Sequence, residues 1–213
     1  MKLTFNTEQE WLEARKGKIT STMASAILGL NPYMNSVEAW EILVGIKEPQ
    51  DISDKPYVQY GKKAEEHIRD LFLLNHPEYK LIENDKYCLY IDDQYPFLAA
   101  SGDGMYEIIN TIKKGTIEIK TTEILASSQR ETWKNGLPQN YFIQCLMEMR
   151  CMGTDEATLI AELKYSVDSI WRREYTMNKV DVQEDIDYVV KELVEFYNKY
   201  VVTKKRPPLI LNF

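Results

Sequence analysis

The chain has 213 residues, 44% of them hydrophobic, and this length and composition suit one compact domain with a sizeable core. Its 26 basic and 33 acidic residues give a formal net charge of −7, so the molecule as a whole repels polyanions and any binding of nucleic acid must be local. The three cysteines have no Cys-x-x-Cys spacing, which argues against a disulfide framework, a zinc cluster or an iron–sulfur cluster. The first residues lack an apolar signal-peptide core and no run of about 18 apolar residues occurs, so the sequence predicts a soluble cytoplasmic protein with no membrane span.

The first fifty residues are predicted to be helical. Thr7 and Glu10, three positions apart, form a capping-box pattern that predicts a helix. Two shorter helices are expected at about 20–29 and 36–45. Pro56 at a first helical position then predicts a longer helix to about residue 75. The apolar stripe of this long helix is expected to consist of Tyr60, Ala64, Ile68, Leu71 and Phe72.

Beyond residue 87 the apolar residues alternate with a period of two, which is typical of strands with one buried face. Turn residues such as Gly and Asp separate the alternating segments, and strands joined in this way predict an antiparallel meander. The predicted strands are 87–91, 97–101, 105–109 and 116–121.

The last third of the chain mixes helices and strands. A helix is predicted at 139–152, followed by strands at about 157–165 and 170–177. Asp181 and Glu184 form a second capping-box pattern, which predicts a final helix to about residue 200. This order of elements predicts an α/β fold, an α+β sandwich with a central mixed sheet flanked by helices. The chain is predicted to be one domain with a helical part at 1–75, a β-rich core at 85–177, and a helix with a tail at 181–213.

A candidate catalytic group lies on the strand around residue 118. Period-two alternation places Glu118 and Lys120 on the same face, about 7 Å apart along the strand, and the neighbouring isoleucines on the other. Upstream, Asp103 stands between two glycines, which let the backbone leave the regular pleat and bring this carboxylate beside Glu118. Two alternatives stay open: Glu118 and Lys120 could be an exposed charge pattern, and Asp103 could be an ordinary turn residue.

These residues suit a magnesium site. Asp103 and Glu118 offer the hard oxygen ligands that Mg²⁺ prefers, and the main-chain carbonyl of Ile119 is a third candidate ligand. Lys120 then suits the role of the cation that orients the attacking water. The pattern therefore indicates metal-assisted hydrolysis with these residues at its centre.

Glu65 gives an independent indication. On the predicted helix it falls within the apolar stripe, where an unpaired carboxylate is costly. It could rotate to the edge of the stripe and pair with Lys62 or Arg69, or it could support a second metal ion or a water held by the first.

The sequence lacks the parts of several other catalytic systems. Only two histidines, His67 and His76, are present, and there is no Gly-x-Ser-x-Gly segment, so a His-ligated zinc and a serine nucleophile are not indicated. There is also no Gly-rich loop that ends in Gly-Lys-Ser/Thr, so ATP-driven work is not indicated.

Five segments in order resemble motifs of the PD-(D/E)xK nucleases, and within them the lambda-exonuclease or YqaJ-like viral recombinase group. Residues 15–22 (RKGKITST) resemble that group's Arg-x-Gly-x-Ile-Thr-Ala-Ser segment, and residues 61–65 (GKKAE) its Gly-x-x-x-Glu helix. Residues 101–104 (SGDG) are similar to its Ser-Pro-Asp-Gly turn, and residues 117–120 (IEIK) to its Glu-x-Lys strand. Residues 141–144 (YFIQ) resemble its Tyr-x-x-Gln helix. Two positions differ from the motifs of the group: Gly102 stands where the turn usually has proline, and Thr22 stands where the first segment usually ends in serine. These differences concern the subgroup to which the chain would belong and leave the predicted metal ligands unchanged.

The resemblance implies a restriction-endonuclease-like core and a role for each matching residue. Asp103, Glu118 and the Ile119 carbonyl would bind Mg²⁺, for which Mn²⁺ could substitute. Glu65 would belong to the same metal site and support a second ion, so that one or two ions are expected. Lys120 would act in catalysis.

The resemblance also implies a phosphate-binding group. Arg15 and Thr22, with Ser21 beside them, would bind a DNA phosphate. Tyr141 and Gln144, one turn apart on the same helix, would belong to this group, and Gln144 would help to position the phosphate or the lysine.

The function implied by the resemblance is processive 5′→3′ degradation of double-stranded DNA from its ends. Members of the group form homotrimeric rings threaded by DNA and work with a single-strand annealing recombinase in phage recombination, which implies a phage or prophage gene expressed in a bacterial host. Two alternatives remain: a restriction-type endonuclease with the same metal site, and a catalytically silent DNA-binding module of the same fold.

Overall fold

The computed structural model describes residues 1–83, 85–166 and 168–210. The described residues form seven α-helices: α1 Glu8–Arg15, α2 Ser21–Ile27, α3 Ser36–Leu43, α4 Pro56–Asn75, α5 Ser127–Lys134, α6 Gln139–Met152 and α7 Gln183–Phe196. The same residues form nine strands: β1 Lys2–Thr4, β2 Ile19–Thr20, β3 Tyr79–Glu83, β4 Cys88–Ile91, β5 Leu98–Ala100, β6 Gly104–Ile108, β7 Lys114–Glu123, β8 Glu156–Ser166 and β9 Ser169–Asn178. No helix within these ranges has the length and apolar character needed to span a membrane.

The strands build two mixed sheets. The smaller sheet has the order β1-β4-β5-β2, and the larger has the order β3-β6-β7-β8-β9. In the larger sheet β7 and β8 run parallel, from Gly115 opposite Glu156 to Glu123 opposite Lys164, while the other neighbours are antiparallel. A parallel pair needs a crossover connection, and α5 and α6 supply it here.

Helix α6 lies at the centre of the fold and contacts α2, α7 and strands of both sheets. Leu146, Met147 and Met149 on this helix are at most 1% exposed, as expected for a helix with packing partners on several sides. Gly153 ends α6 with a φ of 68°, a left-handed conformation that glycine adopts without the steric cost of a Cβ atom. On the opposite face of the larger sheet, Ile68 and Phe72 of α4 pack against the isoleucines of β7.

The structure confirms the predicted fold class, an α/β arrangement of mixed sheets flanked by helices. The bounds of α4 and α6 agree with the predicted helices at their start and end. The capping box at α1 is also confirmed, because the Glu10 N–H donates to Thr7 Oγ1 at 3.2 Å and the Glu10 side chain accepts from the Thr7 N–H.

Several expectations were wrong in detail. The first fifty residues are not all helical, because β1 and β2 lie among them and pair with strands that come much later in the chain. The predicted meander is divided between the two sheets, since β4 and β5 belong to the smaller one and β6 and β7 to the larger one. The segment from Ala100 to Gly104 connects β5 of the smaller sheet to β6 of the larger sheet.

Two further corrections concern helices α4 and α7. Leu71 was expected in the apolar stripe of α4 but is 38% exposed. The capping box at Asp181 and Glu184 does not form, because Asp181 lies in a 3-10 turn and α7 begins only at Gln183 with no side-chain cap. A π-helical turn at Tyr197–Val201 follows α7. Residues 211–213 of the predicted tail lie outside the described residues.

Candidate active site

The site forms where β6 separates from β7. Strand β6 pairs with β7 only as far as Gly104 opposite Ile117, so the later residues of β7 have one edge free of β6. The chain before β6 occupies part of this edge: the Asp103 N–H donates to the Ile117 carbonyl at 2.8 Å, and the Ile119 N–H donates to Asp103 Oδ2 at 2.7 Å. The Asp103 carboxylate is therefore fixed directly beside the strand that carries Glu118.

Glycine at position 102 is required by a close approach of two chain segments. A Cβ atom there would lie 2.6 Å from Thr116 Oγ1 and 3.3 Å from the Ile117 carbonyl oxygen. Any larger side chain would therefore push the Asp103 segment away from β7.

The two faces of β7 differ in character, as the alternation predicts. Ile117 and Ile119 are at most 5% exposed and pack in the core formed with α4. On the other face, the Lys120 ammonium contacts the Glu118 carboxylate, and Gln144 Nε2 donates to the same Glu118 oxygen at 2.6 Å. The face of β7 that packs on α6 therefore holds a carboxylate with two donors.

A cleft of about 280 Å³ lies over this face of β7. Eight of the residues singled out from the sequence line it: Arg15, Ser21, Thr22, Glu65, Asp103, Glu118, Lys120 and Gln144. Tyr141 does not line the cleft but stands behind it, with its ring centroid 5.4 Å from the Lys120 ammonium. A second cleft of about 400 Å³, bordered by Arg150 and Asp187, contains none of the predicted residues.

The carboxylates of the cleft are crowded. Burial raises the pKa of Asp103 well above its usual range, and the negative charge of Glu118 raises it further. Burial also raises the pKa of Glu65, to which Glu118 again contributes. For Lys120, burial alone would lower the pKa, but the charges of Glu118 and Asp103 outweigh this effect and raise it, so the ammonium stays charged.

Arg15 carries an uncompensated positive charge into the same cleft. It is half-buried, and burial lowers the pKa of its guanidinium. Within the described ranges no carboxylate lies within ion-pair distance of it, and the guanidinium instead lies over the ring of Trp11, 4.2 Å from the centroid. A buried cation without a partner is costly, so this position suits an anionic ligand.

A divalent metal fits the chemistry of these donors. Among the described residues, no group of three or more carboxylate, thiol or imidazole side chains is already gathered around one metal position. The set in question is smaller, namely Asp103, Glu118 and the Ile119 carbonyl. Asp103 Oδ2 is bonded within the protein, whereas its Oδ1 makes no hydrogen bond with the described residues. The crowded negative charge, seen in the raised pKa values, is what a divalent cation would relieve.

Glu148 is a further residue of this site that was not predicted from the sequence. It is fully buried on α6, one turn after Gln144, whose Nε2 donates to Glu148 Oε1 at 2.9 Å. Burial raises the pKa of Glu148 well above its usual range, and the charge of Glu118 adds to the effect. The spacing of four residues from Gln144 was the available signal, because it places both side chains on one face of the helix.

The sequence profile of the YqaJ-like viral recombinase domain matches residues 10–155, more than half of the chain. The chain belongs to the YqaJ-like viral recombinase domain family. The matched region contains every residue that lines the cleft except Glu8. The family assignment and the cleft therefore involve the same part of the chain.

One relative and two solved structures place this YqaJ-like domain among known proteins. The uncharacterized protein YqaJ of Bacillus subtilis (strain 168) is 26% identical over 226 aligned positions, which cover 95% of this chain and 59% of YqaJ, so the chain spans about three fifths of that relative. The alkaline exonuclease LHK-Exo of Laribacter hongkongensis has a TM-score of 0.63 at 21% identity, covering 92% of this chain and 96% of LHK-Exo. A phage related exonuclease of Haemophilus somnus 129PT has a TM-score of 0.56 at 14% identity, covering 88% and 96%. At these identities the two structures demonstrate a shared fold.

Proposed function

We propose that the chain is a single-domain, magnesium-dependent deoxyribonuclease that hydrolyses phosphodiester bonds of DNA. The observation that carries the proposal is the convergence of Asp103, Glu118 and Lys120 in one cleft together with Glu65 and Arg15. Such an arrangement can hold a metal ion, a water and an anionic substrate close to one another. Membership of the YqaJ-like family supports the same function.

Asp103, Glu118 and the Ile119 carbonyl would hold Mg²⁺, and Glu65 would support a second ion. When bound, Mg²⁺ neutralises charge on the phosphate and acidifies water, which makes hydrolysis possible at neutral pH. Mn²⁺ accepts the same oxygen ligands and is expected to substitute.

The residues of the chain would position the reactants. The Lys120 ammonium, held by Glu118 and standing over the Tyr141 ring, would orient the attacking water and stabilise the negative charge that develops on the phosphate. Gln144 would keep the Glu118 carboxylate in place through its Nε2 donor.

Arg15 would bind the phosphate at the end of a DNA strand, because its charge has no carboxylate partner among the described residues. The hydroxyl of Thr22 lines the same cleft and would donate to that phosphate, with Ser21 beside it. A phosphate held in this way would set the distance between the strand end and the bond that is cut.

At a finer level we propose a processive 5′→3′ exonuclease that acts on double-stranded DNA ends. The similar folds of an alkaline exonuclease and a phage related exonuclease support this choice. A homotrimeric ring would reconcile the net charge of −7 with DNA binding, because a basic channel can coexist with an acidic exterior. Phage-type recombination in a bacterial host, with a single-strand annealing recombinase as the partner, follows from the same proposal.

A linear duplex labelled at either the 5′ or the 3′ end of one strand tests the proposal. With Mg²⁺ or Mn²⁺, the 5′ label should be released first as a small product while the 3′-labelled strand shortens progressively. A chelator should stop both reactions. No degradation with either metal would contradict a nuclease, and early release of the 3′ label would reverse the polarity.

Closed circular DNA separates the exonuclease from the endonuclease of restriction type. An exonuclease leaves the circle intact under conditions in which it consumes the same plasmid after linearisation. Nicking of the circle would favour the endonuclease. DNA binding without cutting either form would favour the catalytically silent module.

A further inference from the structure

The mouth of the cleft contains aromatic side chains that phosphate chemistry does not require. Two of the residues that line it, Trp11 and Tyr87, are aromatic. Trp11 is already engaged: its Nε1 donates to the Cys88 carbonyl at 2.9 Å, and the Arg15 guanidinium covers its ring. Trp11 therefore serves to hold Arg15, and its ring is not free for a ligand.

Tyr87 is in a different situation. Its ring is half-buried in the cleft wall, with its centroid 6.3 Å from that of Trp11. Its backbone is anchored, because the Phe5 N–H donates to the Tyr87 carbonyl at 2.9 Å and Cys88 begins β4. The Tyr87 hydroxyl makes no hydrogen bond with other described residues. The Tyr87 backbone is thus anchored beside Trp11, while its hydroxyl has no hydrogen-bond partner among the described residues.

Positive charge surrounds this ring. The exposed Lys86 side chain places its ammonium over the Tyr87 ring, 5.2 Å from the centroid, and must move aside for a base to stack there. Lys62 lines the same cleft, with its ammonium 2.9 Å from Glu8. An aromatic face next to cations is the combination by which proteins hold single nucleotides, because the ring stacks on the base and the cations attract the phosphates.

We propose that Tyr87, flanked by Lys86, forms a stacking wall for the base of the nucleotide whose 5′-phosphate is bound by Arg15. Arg15 and Tyr87 both lie beside Trp11, at 4.2 and 6.3 Å from its ring centroid, and in this proposal the phosphate at the first and the base at the second belong to one nucleotide. The inference rests on the proposed function for the identity of the substrate. The ligand class is a nucleoside 5′-monophosphate end, and every base is accepted because each has a π face.

Binding of small ligands without metal tests this wall separately from cleavage. 2′-Deoxyadenosine 5′-monophosphate and 2-deoxyribose 5-phosphate carry the same phosphate and sugar, and only the first has a base. Calorimetry on the full chain in chelator should give about 5- to 100-fold tighter binding of the nucleotide, the range that one stacked base provides. Tyr87→Ala should remove this preference, whereas Tyr87→Phe should keep it.

Affinity for the sugar phosphate serves as the folding control. It should be unchanged in Tyr87→Ala, since Arg15 is intact, and lost in Arg15→Ala. Equal binding of the two ligands by the wild type, binding of neither, or a preference that survives in Tyr87→Ala would overturn the proposal. If the chain prefers the nucleotide but cuts no DNA, the stacking role of Tyr87 is supported and the proposed nuclease function is contradicted.

Discussion

Two groups of buried acidic side chains differ in how completely the protein itself partners them. Glu156, at the start of β8, is 6% exposed and accepts a hydrogen bond from the Tyr106 hydroxyl at 2.6 Å. That hydroxyl is also 3.0 Å from Thr158 Oγ1, which in turn lies 3.0 Å from Thr176 Oγ1. The Glu156 group is a closed hydrogen-bonded chain inside the larger sheet.

The acids of the cleft are less completely partnered: Glu118 has two donors, Lys120 and Gln144, but Asp103 Oδ1 has no hydrogen-bond partner among the described residues. Asp103, Glu118 and Glu65 line the same cleft, and the pKa values of Asp103 and Glu65 are raised by burial and by the charge of Glu118. The cation Arg15 is held by an aromatic ring and not by a carboxylate. The Glu156 group therefore supports the fold, while the cleft retains charge that a ligand can balance. Substitutions at the two groups should have opposite consequences.

The largest effect is expected at Lys120. Lys120→Met should lower the single-turnover rate of cleavage about 10²–10⁴-fold, because it removes the cation that orients water and stabilises charge on the phosphate. Lys114→Met, an exposed lysine on the same strand, is the matched control and should cut at the wild-type rate. If the Lys120 variant cuts as fast as this control, the proposed catalytic role of Lys120 is wrong.

Arg15→Ala should lower binding of duplexes with 5′-phosphate ends about 10- to 100-fold, the effect of losing one charged hydrogen bond. Duplexes with 5′-hydroxyl ends should be affected much less. Fluorescence anisotropy on the two duplexes in chelator makes the comparison without cleavage. An equal loss on both ends would show that Arg15 does not recognise the terminal phosphate.

Glu156→Ala should destabilise the fold by about 1–3 kcal/mol, because it leaves the buried Tyr106 hydroxyl with fewer partners. Denaturant titration measures this change. Glu107→Ala on the neighbouring strand, which loses only an exposed ion pair with Lys80, is the control. The cleavage rate per folded molecule should stay unchanged, and a loss of catalysis without a loss of stability would contradict the structural role.

Asp103→Asn should raise the Tm in chelator by roughly 2–4 °C, the shift that about 1 kcal/mol gives at this size, although cleavage is lost. The folded-state pKa of Asp103 is raised, so its stabilising contribution is complete below the unfolded value of about 4 and is lost as the pH rises through the folded value. The amide is neutral throughout. The gain should therefore appear at neutral pH and vanish in acid, and a lower Tm at pH 7 would contradict it.

The smallest effect is expected at His76, which lies between Glu78 and Glu174 at 3.0 and 2.9 Å. Burial alone would lower the pKa of His76, but hydrogen bonds to the two carboxylates outweigh it and raise the pKa. The stabilisation is complete below the unfolded pKa of about 6.5 and is lost as the pH rises through the folded value. His76→Gln should thus cost up to about 1 kcal/mol more at pH 6 than at pH 9 by denaturant titration. A constant difference across this range would exclude the ion pairs as its cause.

The elements that could be predicted are those with strong local signals. Pro56 and a regular apolar stripe define α4, and Gly153 defines the end of α6. The strands β1 and β2 have only three and two residues and depend on partners far along the chain, so no local pattern identifies them. Helix α5 has no side-chain hydroxyl or carboxylate at its N-cap, Ala126, and was missed for that reason.

The site was more predictable than the topology around it. Alternation alone places Glu118 and Lys120 on one face of the strand. The two glycines beside Asp103 predict that the backbone leaves the pleat there and brings this carboxylate beside Glu118. The contacts that hold Asp103 against β7 could not be read from the sequence, because they depend on where β6 ends and on the close approach of Gly102 to Thr116.

The proposed function requires that the Asp103 and Glu118 carboxylates bind a divalent metal. A crystal of the wild-type chain soaked in Mn²⁺ tests it directly through an anomalous difference map. We expect a peak within about 2–2.5 Å of oxygens from Asp103, Glu118 and the Ile119 carbonyl, and no such peak in Asp103→Asn. Metal binding by these carboxylates is contradicted if a crystal soaked at saturating Mn²⁺ shows the manganese peak elsewhere and Glu118 still contacts Lys120 and Gln144.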